Sequence, residues 1–212
     1  MKALDLLKKD WKKQEDSLPI MSYDEIYGMI RKKSSSIVKW IFIICIAELL
    51  FWSALSLVIP DDALEIYEKF NLKKFLNISQ ILHYFVVAVF IYLFYKNYKS
   101  ISVIENTNVL MKNIIKTRKT VNYYVYYNLA LYVILTLIVN AIMFTHSETL
   151  IEVMKPLETD IENGTFIKVF FIVQLVALFL VIAVLWFYYK LIYGILLKRL
   201  NKNYKELETL NI

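Results

Sequence analysis

Four apolar runs of about twenty residues decide what this chain can fold into. A segment of that length with almost no charge is stable where water does not compete for its backbone. The runs are residues 37 to 59 (IVKWIFIICIAELLFWSALSLVI), 76 to 95 (LNISQILHYFVVAVFIYLFY), 123 to 144 (YYVYYNLALYVILTLIVNAIMF) and 166 to 189 (FIKVFFIVQLVALFLVIAVLWFYY). At about 1.5 Å per residue, each run is long enough for the roughly 30 Å hydrocarbon core of a bilayer. The predicted fold is all-α: an integral membrane four-helix bundle with helical cytoplasmic extensions. With 58% hydrophobic residues, 3 Gly and 3 Pro, the chain is neither disordered nor an ordinary soluble domain.

The runs divide the chain into a cytoplasmic amphipathic arm (1–36), a four-span domain (37–200) with a middle loop at 96–122, and a tail at 201–212. The arm is charged and lacks an apolar core with a small-residue cleavage site, so the first span is expected to stay in the mature chain. Short cytoplasmic flanks retain Lys and Arg. The arm, the middle loop and residues 190 to 212 hold nineteen of them, against four in the loops at 60–77 and 145–165. This positive-inside asymmetry places both termini in the cytoplasm. It also accounts for the net charge of +6 without nucleic acid, which is disfavoured as a partner.

The cytoplasmic segments carry apolar stripes at helical spacing. In the arm these are Leu4, Leu7 and Trp11, then Ile26, Met29 and Ile30 in a second helix expected to start near Tyr23, where Ser22 and Glu25 have capping-box spacing. The middle loop offers Ile104, Leu110, Met111, Ile114, Ile115 and Val121, and the tail Leu200, Tyr204 and Leu207. Packing against one another is the commonest use of such stripes; docking of a partner on Leu4, Leu7, Trp11, Ile26 and Ile30 and contact with the lipid surface are the alternatives.

Glu48 is the sharpest single feature. A carboxylate within a span costs several kcal/mol unless it is paired or protonated, so it is expected to face the bundle interior. Counting depth from the span ends puts Gln174 nearest its level, His83 and Asn140 together toward the outer side, and Asn128 toward the inner side. Polar contacts between spans fix helix order without implying chemistry. A glutamate in the first of four spans also occurs in small proton-coupled multidrug transporters, but the first three spans here lack the glycines that those proteins use for close packing.

Two histidines, His83 and His146, and one cysteine, Cys45, do not make a metal site within one chain. Gly28, Gly164 and Gly194 are too dispersed for a phosphate-binding loop or a nucleophile elbow. No catalytic or metal residue and no cofactor is assigned.

The strings Leu6-Leu7-Lys8-Lys9-Asp10-Trp11, Tyr23-Asp24-Glu25-Ile26-Tyr27 and Lys32-Lys33-Ser34-Ser35-Ser36-Ile37-Val38-Lys39-Trp40 resemble a group of uncharacterised four-helix Bacteroidetes membrane proteins of flavobacterial type. The likeness extends over the whole chain. Some members are labelled carotenoid monooxygenases, an iron chemistry that two histidines disfavour. The group is also similar to membrane proteins encoded beside extracytoplasmic-function sigma factors. That resemblance implies a bacterial inner membrane and an anti-sigma-like role for the arm, although the His-x-x-x-Cys-x-x-Cys zinc motif of one large anti-sigma class is missing.

The expected function is a non-enzymatic inner-membrane protein that presents cytoplasmic helices to a regulatory protein partner. The alternatives are a proton-coupled transporter using Glu48 and a structural subunit of a membrane complex. The lipid bilayer is the other expected partner, and a homo-oligomer is compatible with the sequence.

Overall fold

A computed structural model describes residues 21–56, 58, 61–104, 106–155 and 161–210. These form six helices and no strand: α1 (Tyr23–Ser56), α2 (Asp61–Lys69), α3 (Lys73–Val103), α4 (Thr107–Thr145), α5 (Ser147–Met154) and α6 (Asn163–Leu210). Four of them, α1, α3, α4 and α6, are long and apolar enough to cross a membrane, which makes this a multi-pass membrane protein by length and composition. They alternate in direction, and each packs on two neighbours, α1 on α3 and α6, α4 on α3 and α6. This is the up-down-up-down arrangement that short connections impose.

The spanning helices overshoot a bilayer at the end that carries both termini. With 34 residues, α1 is about 51 Å long, and the 48 residues of α6 reach about 72 Å, against roughly 30 Å of hydrocarbon. The excess is a packed extension with its own core: Tyr27, Ile30 and Val38 from α1, Ile101 from α3, Leu110 and Ile114 from α4, and Leu200 and Leu207 from α6. The stripes of the middle loop and tail, together with that of the arm's second helix, therefore cover one another, except at Met29 and Ile115, which stay exposed.

The continuity of α1 differs from the expected break between a short helix and the first span. The capping box at its start is formed, with the Ser22 N–H donating to Glu25 Oε2 at 2.8 Å and the Glu25 N–H to Ser22 Oγ at 3.3 Å. Nothing after it stops the helix: Lys32 to Ser36 contain neither Gly nor Pro, and Ser34 is buried and accepts a hydrogen bond from Asn203 Nδ2 at 2.9 Å. The middle loop is likewise two helix ends with a short connection. There the Asn106 side chain caps α4, accepting from the N–H groups of Asn108 (2.9 Å) and Val109 (3.3 Å). Asn106→Ala removes that cap, and we expect a loss of about 1 kcal/mol, read as faster amide exchange confined to the first turn of α4.

Polar cross-links tie the extension together. Asn97 Nδ2 donates to Thr120 Oγ1 (3.4 Å) and Asn113 Nδ2 to Ser100 Oγ (2.9 Å), joining α3 to α4, while Arg118 joins α4 to Asn201 of α6 at 2.7 Å. The Tyr27 hydroxyl and the Arg31 guanidinium both donate to the Ile104 carbonyl, which pins α1 to the connection.

At the opposite end, α2 and α5 fold over the bundle, and Phe70, Leu72, Met143 and Leu150 form a separate core there. Asn71 makes the turn from α2 to α3 with φ 56°, a left-handed conformation that Asn tolerates. Its N–H donates to the Glu68 carbonyl and that of Leu72 to the Tyr67 carbonyl, which closes the end of α2. Between the two ends most apolar side chains of the spans are exposed on the single chain, as Ile81 (69%) and Phe179 (71%) are, a surface suited to lipid.

Candidate functional site

Glu48 is buried at the centre of the second core cluster, where α1, α4 and α6 meet. Its Oε2 accepts hydrogen bonds from the Tyr124 hydroxyl at 2.9 Å and the Tyr193 hydroxyl at 3.0 Å. Tyr189, one turn before Tyr193 on α6, brings a third hydroxyl to the carboxyl group. Rings enclose these donors: Phe90 and Phe94 of α3 meet Tyr124 edge-on at 5.4 and 5.9 Å, and Tyr124 meets Tyr193 at 5.9 Å. Cys45, one turn before Glu48 on the same face, is also fully buried against this cluster.

The geometry is that of an acceptor shared among helices. One carboxylate gathers donors from two other helices in an aromatic, water-poor setting, where leaving any of them unpaired is expensive. Among the described residues, no three His, Cys, Asp or Glu side chains converge. A chain of rings leads away from the site, from Tyr124 through Phe90 to Tyr127 and His83. It is not a chain of hydrogen bonds, because Phe90 has none to offer.

The partners of Glu48 differ from those that depth counting suggested. Gln174 is half-buried on α6, about 22 Å along the helix from Tyr189. Depth was counted from the ends of the apolar runs, but α1 and α6 continue past those ends, so packing, not hydropathy, sets the register. His83 and Asn140 do not pair. His83 stacks on Tyr127 with ring centroids 5.9 Å apart, its Nδ1 3.4 Å from the hydroxyl, and Asn140 Nδ2 donates to the Thr136 carbonyl one turn back, leaving Oδ1 buried without a partner among the described residues. Asn128 Nδ2 makes the same kind of bond to the Tyr124 carbonyl.

The expected docking stripe divides in two. Leu4, Leu7 and Trp11 lie outside the described residues. Ile30 is 4% exposed and Ile26 packs beside it in the core of the extension. Both are thus covered by the chain itself, because the tail and middle-loop stripes supply the apolar surface that a partner would have supplied.

Sequence reasoning missed Tyr124, Tyr189 and Tyr193 as a site. The available signal was the four-residue spacing of Tyr189 and Tyr193, which sets two hydroxyls on one face of a helix.

The family model for a domain of unknown function, DUF8845, matches residues 24–212. No curated protein and no solved structure matches the chain.

Proposed function

Because the chain belongs to the DUF8845 family, which is described only as a domain of unknown function, we propose a role from its own geometry: a non-enzymatic protein of the bacterial inner membrane whose extension presents a surface to a cytoplasmic regulatory protein. The observation that carries this reading is the closed extension. Four helices continue beyond the apolar spans, bury their stripes in one core and are cross-linked by polar contacts, which is more structure than anchoring requires. The positive-inside rule assigns this end to the cytoplasm. Lys112, Lys116 and Lys119 are exposed on α4, so the surface on offer is basic and suits an acidic partner. The resemblance noted from the sequence points to a sigma factor as that partner. Glu48 enters this reading as an interhelical acceptor that holds the extension in register with the spans.

Photoreactive residues placed at Lys112 or Lys116 in cells should give an adduct with one cytoplasmic protein, and the same probe at lipid-facing Ile81 should not. Adducts from all three positions with the same species, or with lipid alone, defeat the proposal. Orientation is read separately: Glu152→Cys should react with an impermeant maleimide on intact cells and Thr209→Cys should not.

A further inference from the structure

Between α1 and α3, where the extension meets the first span, lies a groove of about 360 Å³ that the role above does not use. Its cations are Arg31, Lys32 and Lys39, its hydroxyls Ser35, Ser36 and Ser102, and among the described residues no carboxylate lines it. Tyr98 forms part of the wall. Arg31 is half-buried and held in place, since one of its nitrogens donates to the Ile104 carbonyl at 3.0 Å, and the rest of its planar fork remains for an anion. Gly28 leaves the far end open: a Cβ built there meets nothing within 4 Å.

The level of the groove identifies its ligand. Lys39 directly precedes Trp40, which is 56% exposed, as an indole at a bilayer interface is. One turn of α1 further into the span, beyond the groove, Phe42 packs on Tyr95 of α3 with centroids 6.0 Å apart, so α1 and α3 stay in contact below it. A basic, hydroxyl-rich hollow walled by Tyr98, at headgroup depth, matches a phosphate whose acyl chains continue along the exposed face of the span. We propose that this groove binds a phosphate group, carried by an anionic phospholipid headgroup or by a free phosphate.

The test uses the full chain with Trp11, Trp52 and Trp186 changed to Phe, so that Trp40 alone reports. It is reconstituted in phosphatidylcholine vesicles containing brominated phosphatidylglycerol or brominated phosphatidylcholine. Each basic residue near a membrane surface contributes about fivefold to anionic-lipid binding, so the brominated anionic lipid should quench Trp40 with about fivefold or greater preference. Each of two variants should lower that preference about fivefold or more. Lys32→Gln with Lys39→Gln removes two exposed charges, and Gly28→Glu adds a carboxylate at the open end while favouring the helix. Lys112→Gln, Lys116→Gln and Lys119→Gln together should leave the preference intact.

A preference that persists as inorganic phosphate is added identifies the lipid headgroup as the source. Equal quenching by both lipids, with saturable calorimetric binding of inorganic phosphate that Gly28→Glu abolishes, identifies free phosphate. The proposal is overturned if both lipids quench equally and phosphate does not bind. It is also overturned if the preference is unchanged in both groove variants, or if the Lys112, Lys116 and Lys119 changes abolish it.

Discussion

Glu48→Ala should lower the thermal midpoint of the detergent-solubilised chain by about 10 °C, the largest effect expected from any single change in the membrane-embedded region. The carboxylate is the acceptor for Tyr124 and Tyr193, and its removal leaves both hydroxyls buried among rings without that acceptor. Leaving a buried donor without its acceptor costs about 1 to 3 kcal/mol, so two hydroxyls cost about 2 to 6 kcal/mol, and for a chain of this size each kcal/mol moves the midpoint by about 2 to 4 °C. Glu48→Gln keeps an acceptor oxygen in the same place and should lose less than half as much. If alanine and glutamine variants melt together with the parent chain, the shared-acceptor reading of this site is wrong.

Leu200→Ala should unfasten the extension while the spans stay folded. Leu200 is fully buried between the stripes of α1 and α4, and truncating a leucine in such a place costs about 2 to 5 kcal/mol. The spans are held by the bilayer and by their own cores, so the loss should remain local. Hydrogen exchange should accelerate in residues 23–38, 101–117 and 198–208, with the amides of 76–90 and 130–142 unchanged. Uniform acceleration along all four helices would show that the extension and the spans unfold as one unit.

Those two variants address the parts of the protein that differ most in how far the sequence revealed them. The existence of an extension was legible, since Ile114, Leu200 and Leu207 recur at helical spacing among lysines and amides, a pattern that has to be buried against something apolar. What buries it was open, because intramolecular packing, a partner's groove and a lipid surface all accept the same stripe. The burial of Ile30 beside Leu110 and Leu207 is a statement about three distant segments, and no local pattern encodes it.

The polar residues show the same division. That Glu48 turns inward followed from the cost of exposing it to lipid. That it meets Tyr124 and Tyr193 depends on the axial offset of α1 against α4 and α6. Apolar run ends report that offset poorly once a helix outlasts its run. The boundary expected between the arm and the first span at residue 36 falls inside one helix, where Ser34 faces Asn203.

The four apolar runs by themselves determined the helical class, the number of spanning helices and the inward turn of Glu48. Each follows from the price of placing backbone polar groups or a charge in hydrocarbon, a quantity that depends on a segment and its solvent alone. The register between helices, the partners of Glu48, the closing of the stripes into one core and the groove between α1 and α3 were decided by the tertiary structure. They depend on which side chains of separate helices share a level, and that is fixed when ridges settle into grooves and the last buried donors find acceptors.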